Sequence, residues 1–180
     1  MPDTVAHVRR VHASEGDRLR AIRLEALSDP AASIAFLETR ADAERRAPGF
    51  WTDRAIGAAL SDEAGQFVAE LGSRWVATAT VLLPEPGSLD YFGRARSGTR
   101  ALLVAVYVAA GHRGEGLLEA LVSAAADWSG ARGRTEIALD VHVDNSRAQA
   151  AYRRLGFVPT GETSEGPNGT ELEMVRAIAR

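Results

Sequence analysis

The sequence predicts an α+β fold in which helices flank both faces of a mixed, mostly antiparallel sheet. The chain has 180 residues, the length of one domain, and we expect residues 1–180 to form a single domain. Its periodic segments follow the order βααβββαβαββ. Short glycine-containing turns join strands as hairpins, whereas one pair of strands is connected by a helix, which predicts a single parallel crossover.

The first half of the chain combines helices with a hairpin. Ser14 has the position of a helix N-cap, and this helix ends at Asp29 because the residue before a proline avoids helical geometry. Gly72 and Ser73 form the hairpin turn. The stretch 84–100 shows little periodicity, and we expect it to be a mobile loop. The predicted elements are a strand at 5–11, helices at 14–29, 38–46 and 50–60, and strands at 66–71 and 75–83.

The second half carries the stronger strand signals. The run Ala101–Ala109 is almost wholly apolar, which is typical of a strand buried on both faces. The next strand, 135–143, alternates in polarity. Its predicted inward set is Ile137, Leu139, Val141 and Val143, and its opposite set is Asp140 and His142. The remaining predicted elements are a helix ending near Trp128, a helix at 146–155 that Gly156 ends, and strands at 157–163 and 170–178.

Two residue types are missing from the chain, and this excludes several chemistries. Without cysteine there are no disulfides, thiolate nucleophiles, cysteine-ligated zinc sites or iron–sulfur clusters. All 21 basic residues are arginine. Without lysine there is no Walker A phosphate loop and no Schiff-base lysine.

Charge and hydropathy limit the expected partners. The net charge of −3 gives no basic footprint for nucleic acid. No apolar run reaches the ~18 residues of a membrane span, and the N-terminal residues lack the apolar stretch of a signal peptide. His7, His12 and His112 do not have metal-ligand spacing. We therefore expect a cytoplasmic protein without a membrane, nucleic-acid or metal partner.

A glycine-rich turn from His112 to Gly116 lies between the buried strand and the next helix. Backbone N–H groups at a helix N-terminus have no intrahelical partners, and the helix dipole adds about half a positive charge, so this turn can bind phosphate. Gly111, Gly114 and Gly116 allow a ligand to approach the backbone closely, and Arg113 can add a cation. The alternative is that the glycines only turn the chain.

A dinucleotide site is a competing interpretation of the same turn. It requires three glycines, spaced Gly-x-Gly-x-x-Gly, early in a βαβ unit. Gly114 and Gly116 match the first two, but Glu119 occupies the third position. Several predicted strands precede the turn, and the chain after it is too short for a doubly wound sheet. The sequence therefore disfavours a dinucleotide-dependent oxidoreductase.

A second motif lies downstream, in the segment VHVDNSRAQAAYRRLGF. Asn145, Ala148, Tyr152, Gly156 and Phe157 are spaced by 3, 4, 4 and 1 residues, which places Ala148 and Tyr152 on one helix face. Together with the glycine turn, this pattern resembles the GNAT superfamily of N-acetyltransferases. The resemblance extends over essentially the whole chain. It implies the GNAT-like fold, acetyl-CoA as co-substrate and transfer of its acetyl group to an amine.

The resemblance implies a coenzyme A site at the glycine turn. In that family a loop of the pattern Arg/Gln-x-x-Gly-x-Gly/Ala holds the pyrophosphate with its backbone amides. Arg113 and Gly116 match the first and fourth positions, with Gly114 between them. Leu118 stands where glycine or alanine is usual. This departure costs little if the amide does the binding, but a larger side chain could shift the start of the helix.

The same resemblance implies a pantetheine site and a general acid. The family's strand before the loop splays at a bulge, so that backbone groups of Val106 and Val108 would bind pantetheine and an amide there could polarise the thioester carbonyl. Asn145 matches a residue that contacts pantetheine, and it is equally suited to cap the helix. Tyr152 matches the acid that protonates the leaving thiolate. The alternative role of Tyr152 is that of a core aromatic residue.

The general base is not assigned by the sequence. Some family members carry a glutamate on the strand before the loop, but the strand 101–109 has no acidic residue. His142, Asp140 and Glu70 are the other candidates, and a water chain is a further one. Without an identified base, a non-catalytic acyl-CoA-binding or regulatory module of the same fold stays the alternative function.

The acceptor is expected between the early helices and the loop before the buried strand. Candidate apolar walls are Phe36, Trp51, Trp75, Tyr91 and Phe92. Candidate charges are Glu25, Glu38 and Asp42 for a cationic amine, and Arg94, Arg96 and Arg100 for an anionic group. The predicted function is transfer of an acetyl group from acetyl-CoA to a primary amine of a small molecule or peptide N-terminus, by direct attack on the thioester. We also expect a homodimer, with the closing hairpin 157–178 as its interface.

Overall fold

The computed structural model describes residues 5–179. Its strands are β1 (His7–Arg10), β2 (Ala64–Leu71), β3 (Arg74–Leu82), β4 (Arg100–Val108), β5 (Glu136–His142), β6 (Val158–Gly166) and β7 (Gly169–Ala177). Its helices are α1 (Gly16–Ala26), α2 (Ala32–Ala35), α3 (Arg40–Glu44), α4 (Pro48–Leu60), α5 (Leu117–Gly130) and α6 (Ser146–Arg154). Within residues 5–179, none of the helices has the length and apolar character needed to cross a membrane.

The strand pairing confirms the predicted fold class. One seven-stranded sheet has the order β1-β2-β3-β4-β5-β7-β6. β4 and β5 are parallel and are connected through α5, whereas the other pairs are antiparallel. Along β2, Phe67 and Ala69 pack in the core that contains α5, and Val68 packs with α1, α3 and α4. Helices therefore lie on both faces, and the antiparallel pairing excludes a doubly wound dinucleotide fold.

The start of α1 differs from the prediction. Ser14 is not its N-cap, because the helix begins at Gly16 with Glu15 in the capping position. The Glu15 carboxylate accepts hydrogen bonds from Arg9 at 2.7 and 2.9 Å and from the amide of His12 at 2.8 Å. Glu15, the residue after Ser14, therefore takes the N-cap position, and its side chain forms an ion pair and closes the turn before the helix.

The segment between α1 and α4 contains a helix that the sequence did not predict. α1 ends at Ala26, and the side chain of Asp29 accepts a hydrogen bond from the amide of Ala31 at 2.9 Å, which sets up the short α2. α3 begins with a capping box, in which Thr39 and Asp42 bond to each other's backbone amides. The short α2 therefore lies between the helices predicted at 14–29 and 38–46.

The loop 83–99, between β3 and β4, is anchored to the sheet. Arg94 donates a hydrogen bond to Asp140 of β5 at 2.7 Å, and Arg96 donates one to Glu173 of β7 at 2.8 Å. Because these ion pairs hold the loop over the sheet, the prediction of a mobile loop does not fit the structure. The loop covers the face of β5 that lies opposite α5.

The end of β5 departs from the predicted alternation. Val143, predicted to point inward, is 38% exposed because the strand ends one residue before it. His142 is buried, since the closing hairpin of β6 and β7 reaches over it. The polar face of β5 is therefore an interior surface.

β4 carries a bulge at the point where it leaves β5. It pairs with β5 over only its first three residues. Against β3, the interval between Thr78 and Thr80 faces one extra residue of β4, and Ala105 within it has a left-handed φ of 53°. The bulge separates the rest of β4 from β5. This half of the strand is therefore only partly buried, although the sequence predicted burial on both faces.

Candidate active site

The gap between β4 and β5 is a cavity of about 630 Å³. One wall is β4 from Leu103 to Val108, and the other combines the end of β5 with α6. The glycine turn and the first turn of α5 lie at its edge. The cavity is lined by all the residues that the sequence predicted for coenzyme binding and catalysis, which are Val106, Val108, Arg113, Gly114, Gly116, Leu118, Asn145 and Tyr152.

Two positions of the glycine turn require glycine for their backbone conformation. Gly114 and Gly116 have φ angles of 86° and 80°, in the left-handed region. Gly116 is also the N-cap residue of α5, and no side chain caps the first-turn amides. These amides, that of Leu118 among them, have no partner within the helix. The turn therefore offers uncapped N–H groups to an anion at the cavity edge.

Arg113 is bound to the protein and is not a free cation beside the turn. Its Nε donates to the carbonyl of Val108 at 3.0 Å, and its guanidinium pairs with Asp29. Arg113 thus ties the turn to β4, and it occupies a carbonyl that the resemblance assigned to pantetheine. Arg147 and Arg154, which sequence reasoning missed, line the same cavity with exposed side chains. Their spacing on α6 gave no signal, because exposed arginines are common on any helix.

α6 carries Asn145 and Tyr152 on the wall opposite β4. Asn145 caps the helix, since its Oδ1 accepts from the amide of Ala148 at 3.1 Å. Tyr152 is buried against Phe157, with the ring centroids 5.7 Å apart. Burial raises the pKa of the Tyr152 phenol, so this group stays protonated at neutral pH. A protonated phenol at the cavity wall can act as an acid.

A second cavity, of about 880 Å³, adjoins the first between α2, α4 and the loop 83–99. The predicted aromatic walls that line it are Phe36, Trp51, Tyr91 and Phe92. Trp75 lies outside this lining and packs against Arg18, whose guanidinium is 4.4 Å from the ring centroid. The sequence therefore located most of the aromatic residues of this cavity, although their spacing did not distinguish them from core residues.

The two cavities meet at the bulge of β4. The residues that line both are Ala35, Phe36, Leu103, Val104, Ala105, Asp140 and Glu171. Ligands in the two cavities can therefore touch at this junction. Among these residues, only Asp140 and Glu171 are ionisable.

The predicted charged ligands are mostly engaged within the protein. Arg94, Arg96 and Arg100, considered for an anionic group, form ion pairs of 2.7 to 2.9 Å with Asp90, Asp140, Glu173 and Glu136. Of the acidic candidates, Glu38 lines the second cavity, Glu25 accepts a hydrogen bond from Tyr107, and Asp42 caps α3. Among residues 5–179 no group of three or more histidine and acidic residues is placed to hold a metal ion.

The base candidates from the sequence are also engaged. His142 donates from Nε2 to the carbonyl of Asn168 at 2.9 Å, and its Nδ1 accepts from the amide of Asp144 at 3.1 Å. Both ring nitrogens are therefore occupied. Asp140 is held by loop arginines, and Glu70 pairs with two arginines and lines neither cavity.

Glu171 is the ionisable residue that sequence reasoning missed. It lies on β7, is 9% exposed, and lines both cavities. Burial raises the pKa of its carboxyl, and the nearby Asp140 adds to this shift. The sequence signal for Glu171 was its alternation with the apolar Leu172, which is typical of a strand. This alternation does not indicate a buried carboxylate, because a carboxylate on a strand usually lies on the solvated face.

Comparison with known proteins identifies the family. Residues 17–157 match the model of the Acetyltransferase (GNAT) family. The chain therefore belongs to this family, which confirms the resemblance found in the sequence. Streptothricin acetyltransferase of Streptomyces lavendulae is 40% identical over 73 residues, which are 41% of this chain and 39% of that protein. The match thus spans about two-fifths of the relative's length.

Solved structures of this family share the fold. The GNAT domain of PAT from S. lividans has a TM-score of 0.72 at 18% identity, over 96% of this chain and 90% of that domain. The ribosomal L7/L12 alpha-N-protein acetyltransferase RimL, in complex with coenzyme A, has a TM-score of 0.71 at 15% identity, over 99% and 97% of the two chains. At these identities the likeness concerns the fold alone.

Proposed function

We propose that the protein is an acetyl-CoA-dependent N-acetyltransferase that acetylates a primary amine by direct attack on the thioester. The meeting of the two cavities at the bulge of β4 carries this proposal. An amine in the second cavity can reach a thioester carbonyl at the junction. No covalent enzyme intermediate is then required, and the chain has no cysteine to form a thioester of its own.

The coenzyme is assigned to the first cavity. The uncapped first turn of α5 binds the pyrophosphate, with Gly114 and Gly116 shaping the loop and Leu118 contributing its amide. Arg147 and Arg154 are available to the phosphates. Because the backbone amide of residue 118 binds the pyrophosphate, the leucine side chain at this position is tolerated.

The acyl group and thiol are assigned to the junction and α6. The backbone of Val106 holds pantetheine and polarises the thioester carbonyl, and Val108 contributes the groups that Arg113 leaves free. Asn145 fixes the start of α6. Tyr152 then protonates the thiolate as the carbon–sulfur bond breaks.

The names of the relatives define two classes of acceptor to test. One is streptothricin, a small molecule, and the other is the α-amine of a protein. The second cavity combines aromatic walls with six carboxylates and four arginines. Negative charge is therefore in excess, which together with the aromatic rings suits a cationic amine. We propose an acceptor of this charge without choosing between the two classes.

Thiol release tests the proposed function. The purified protein is mixed with acetyl-CoA and either streptothricin or a peptide with a free α-amine, and free coenzyme A is followed with a thiol reagent. The absence of cysteine removes the protein's own background. Thiol release that needs both substrates supports the proposal. Binding of acetyl-CoA without turnover of any amine in a panel contradicts it and favours a non-catalytic acyl-CoA-binding module.

Two further measurements complete the test. Calorimetric titration should detect binding of acetyl-CoA and desulfo-CoA but not of NAD, because the binding contacts are assigned to the pyrophosphate and pantetheine of coenzyme A.

The homodimer stays a prediction that sedimentation would test. In the closing hairpin, Asn168 already donates to the carbonyl of Phe36 at 2.9 Å within the same chain.

A further inference from the structure

We propose that Glu171 is the general base that takes a proton from the acceptor ammonium, an inference that rests on the proposed acetyl transfer. Glu171 lies on β7, opposite His142 of β5 and Ser164 of β6. It is 9% exposed and lines both cavities where they meet. The acceptor nitrogen must pass this junction to reach the thioester carbonyl.

Elimination among the junction residues leaves Glu171. Asp140, the other ionisable residue shared by both cavities, accepts hydrogen bonds from Arg94 at 2.7 Å and from Arg96 at 3.2 Å. These guanidinium groups compensate its charge and occupy one of its oxygens. Within residues 5–179 the Glu171 carboxylate has no ion pair or hydrogen bond. It is therefore the carboxylate at the junction whose charge no guanidinium compensates, whereas Asp140 keeps only its buried Oδ1 without a hydrogen bond.

The sheet places Glu171 and Tyr152 on opposite faces. Leu172 and Met174 pack in the core with α5, and Tyr152 of α6 belongs to the same core. Because side chains alternate along a strand, Glu171 points to the other face. The two groups thus approach the gap between β4 and β5 from different sides. One can serve the attacking nitrogen while the other serves the departing sulfur.

The proton balance of this mechanism closes. Glu171 removes one proton from the ammonium, and the neutral nitrogen forms a bond to the carbonyl carbon. The carbon–sulfur bond then breaks, and the thiolate takes the proton of Tyr152. After the attack, the nitrogen carries two protons and a positive charge. It gives one of these protons to the Tyr152 phenolate and becomes the amide nitrogen. Glu171 releases its proton to water.

The surroundings of Glu171 favour a carboxylate that holds a proton readily. Burial raises its pKa, and Asp140 adds to the shift. A higher pKa makes the carboxylate a stronger base toward an ammonium group. The charged and titratable groups around it are Asp140 and His142 on β5, Glu173 on β7, and Arg94 and Arg96 in the loop 83–99.

Glu171→Gln tests the assignment with whichever of streptothricin and the α-amine peptide the wild type acetylates faster. At pH 7 we expect kcat to fall about 100-fold or more. The Kd for acetyl-CoA should stay unchanged in calorimetry. The deficit should narrow as the pH rises, because more acceptor then arrives as the neutral amine. Hydroxylamine, which is largely neutral at pH 7, should be acetylated at similar rates by the variant and the wild type.

Glu162→Gln, which changes an exposed carboxylate on β6, is the matched control and should keep wild-type kcat. Equal kcat and equal pH profiles for Glu171→Gln and an active wild type would overturn the role of Glu171 and leave the proposed function intact. A wild type that releases no thiol with any amine would overturn both. If circular dichroism shows that Glu171→Gln does not fold, Glu171→Asp is used instead. A fall in the kcat of this variant at acidic pH, as its carboxylate becomes protonated, supports the assignment. A kcat that does not fall at acidic pH overturns it.

Discussion

Arg96 of the loop 83–99 donates a hydrogen bond to Glu173 of β7 at 2.8 Å, and both side chains are at most 6% exposed. The same guanidinium lies 2.5 Å from Asp90 and 3.2 Å from Asp140. One buried cation therefore holds three carboxylates from the loop and two strands. This network forms the floor beneath the second cavity and fixes the loop that covers it.

Arg96→Met should strongly destabilise the protein, because it leaves buried carboxylates without their cation. Breaking one side of a buried ion pair costs about 3–5 kcal/mol in the free energy of unfolding. Urea denaturation measures this loss. Arg45→Met is the control, since its ion pair with Asp42 is exposed, and it should change stability little. A loss below about 1 kcal/mol for Arg96→Met would show that the network is not the anchor of the loop.

Tyr152→Phe should lower kcat by about 100-fold or more, because the thiolate loses its proton donor. The Kd for acetyl-CoA should be unchanged, since the ring and its contact with Phe157 are kept. Burial raises the pKa of the Tyr152 phenol, so wild-type kcat should not decline through ionisation of this group up to about pH 9. The thiol assay and calorimetry provide the measurements. An unchanged kcat in Tyr152→Phe would refute the acid role.

Gly116→Val should weaken acetyl-CoA binding by more than about tenfold in calorimetric titration. Gly116 has a φ of 80°, and a non-glycine residue in this conformation costs about 1–2 kcal/mol. We expect the loop to move in order to relieve this strain, and a loss of about 1.4 kcal/mol in binding free energy lowers the affinity tenfold. A Cβ at this position meets no atom within 4 Å, so the effect arises from the backbone.

Gly111→Ala is the matched control for this loop. Gly111 also has open space around its Cβ position, but its φ is not in the left-handed region. It should therefore retain wild-type affinity. An unchanged affinity in Gly116→Val would remove the turn from the coenzyme site.

Glu171→Gln should raise the melting temperature at pH 8. Burial raises the pKa of Glu171 in the folded chain. A carboxyl of this kind favours folding in its protonated form, so its contribution is complete at low pH and is lost as the pH rises through the folded-state pKa. The stability advantage of the glutamine variant should therefore shrink toward pH 4, as followed by thermal unfolding. An advantage that is independent of pH would mean that Glu171 is not desolvated in solution.

The lining of the first cavity is the part of the proposed site whose residues the sequence grouped together. Gly114, Gly116, Asn145 and Tyr152 lie within local motifs, each set by residues one or two turns apart. The structure places all four around one cavity. Ser14 shows the limit even of local patterns, because the ion pair of Glu15 with Arg9 displaced the expected cap.

The lining of the second cavity, where we propose that the acceptor binds, could not be predicted in the same way. Arg94 and Arg96 look like solvated or anion-binding residues in a polar loop, and their partners are on strands far along the chain. Glu171 and His142 face each other only through the register of β5 and β7. Pairing across a sheet depends on residues distant in sequence, which no local periodicity encodes.

The sequence by itself determined the α+β fold class, the family and a set of residues that the structure groups around the first cavity, because hydrophobic period, glycine positions and motif spacing are properties of short segments. Only the tertiary structure decided which charges are neutralised and which remain free. Asp140 is held by arginines, His142 uses both nitrogens, and Glu171 has no partner among the residues that the structure describes, 5–179. Those outcomes follow from burial and from contacts between distant strands, which exist only once the sheet has formed.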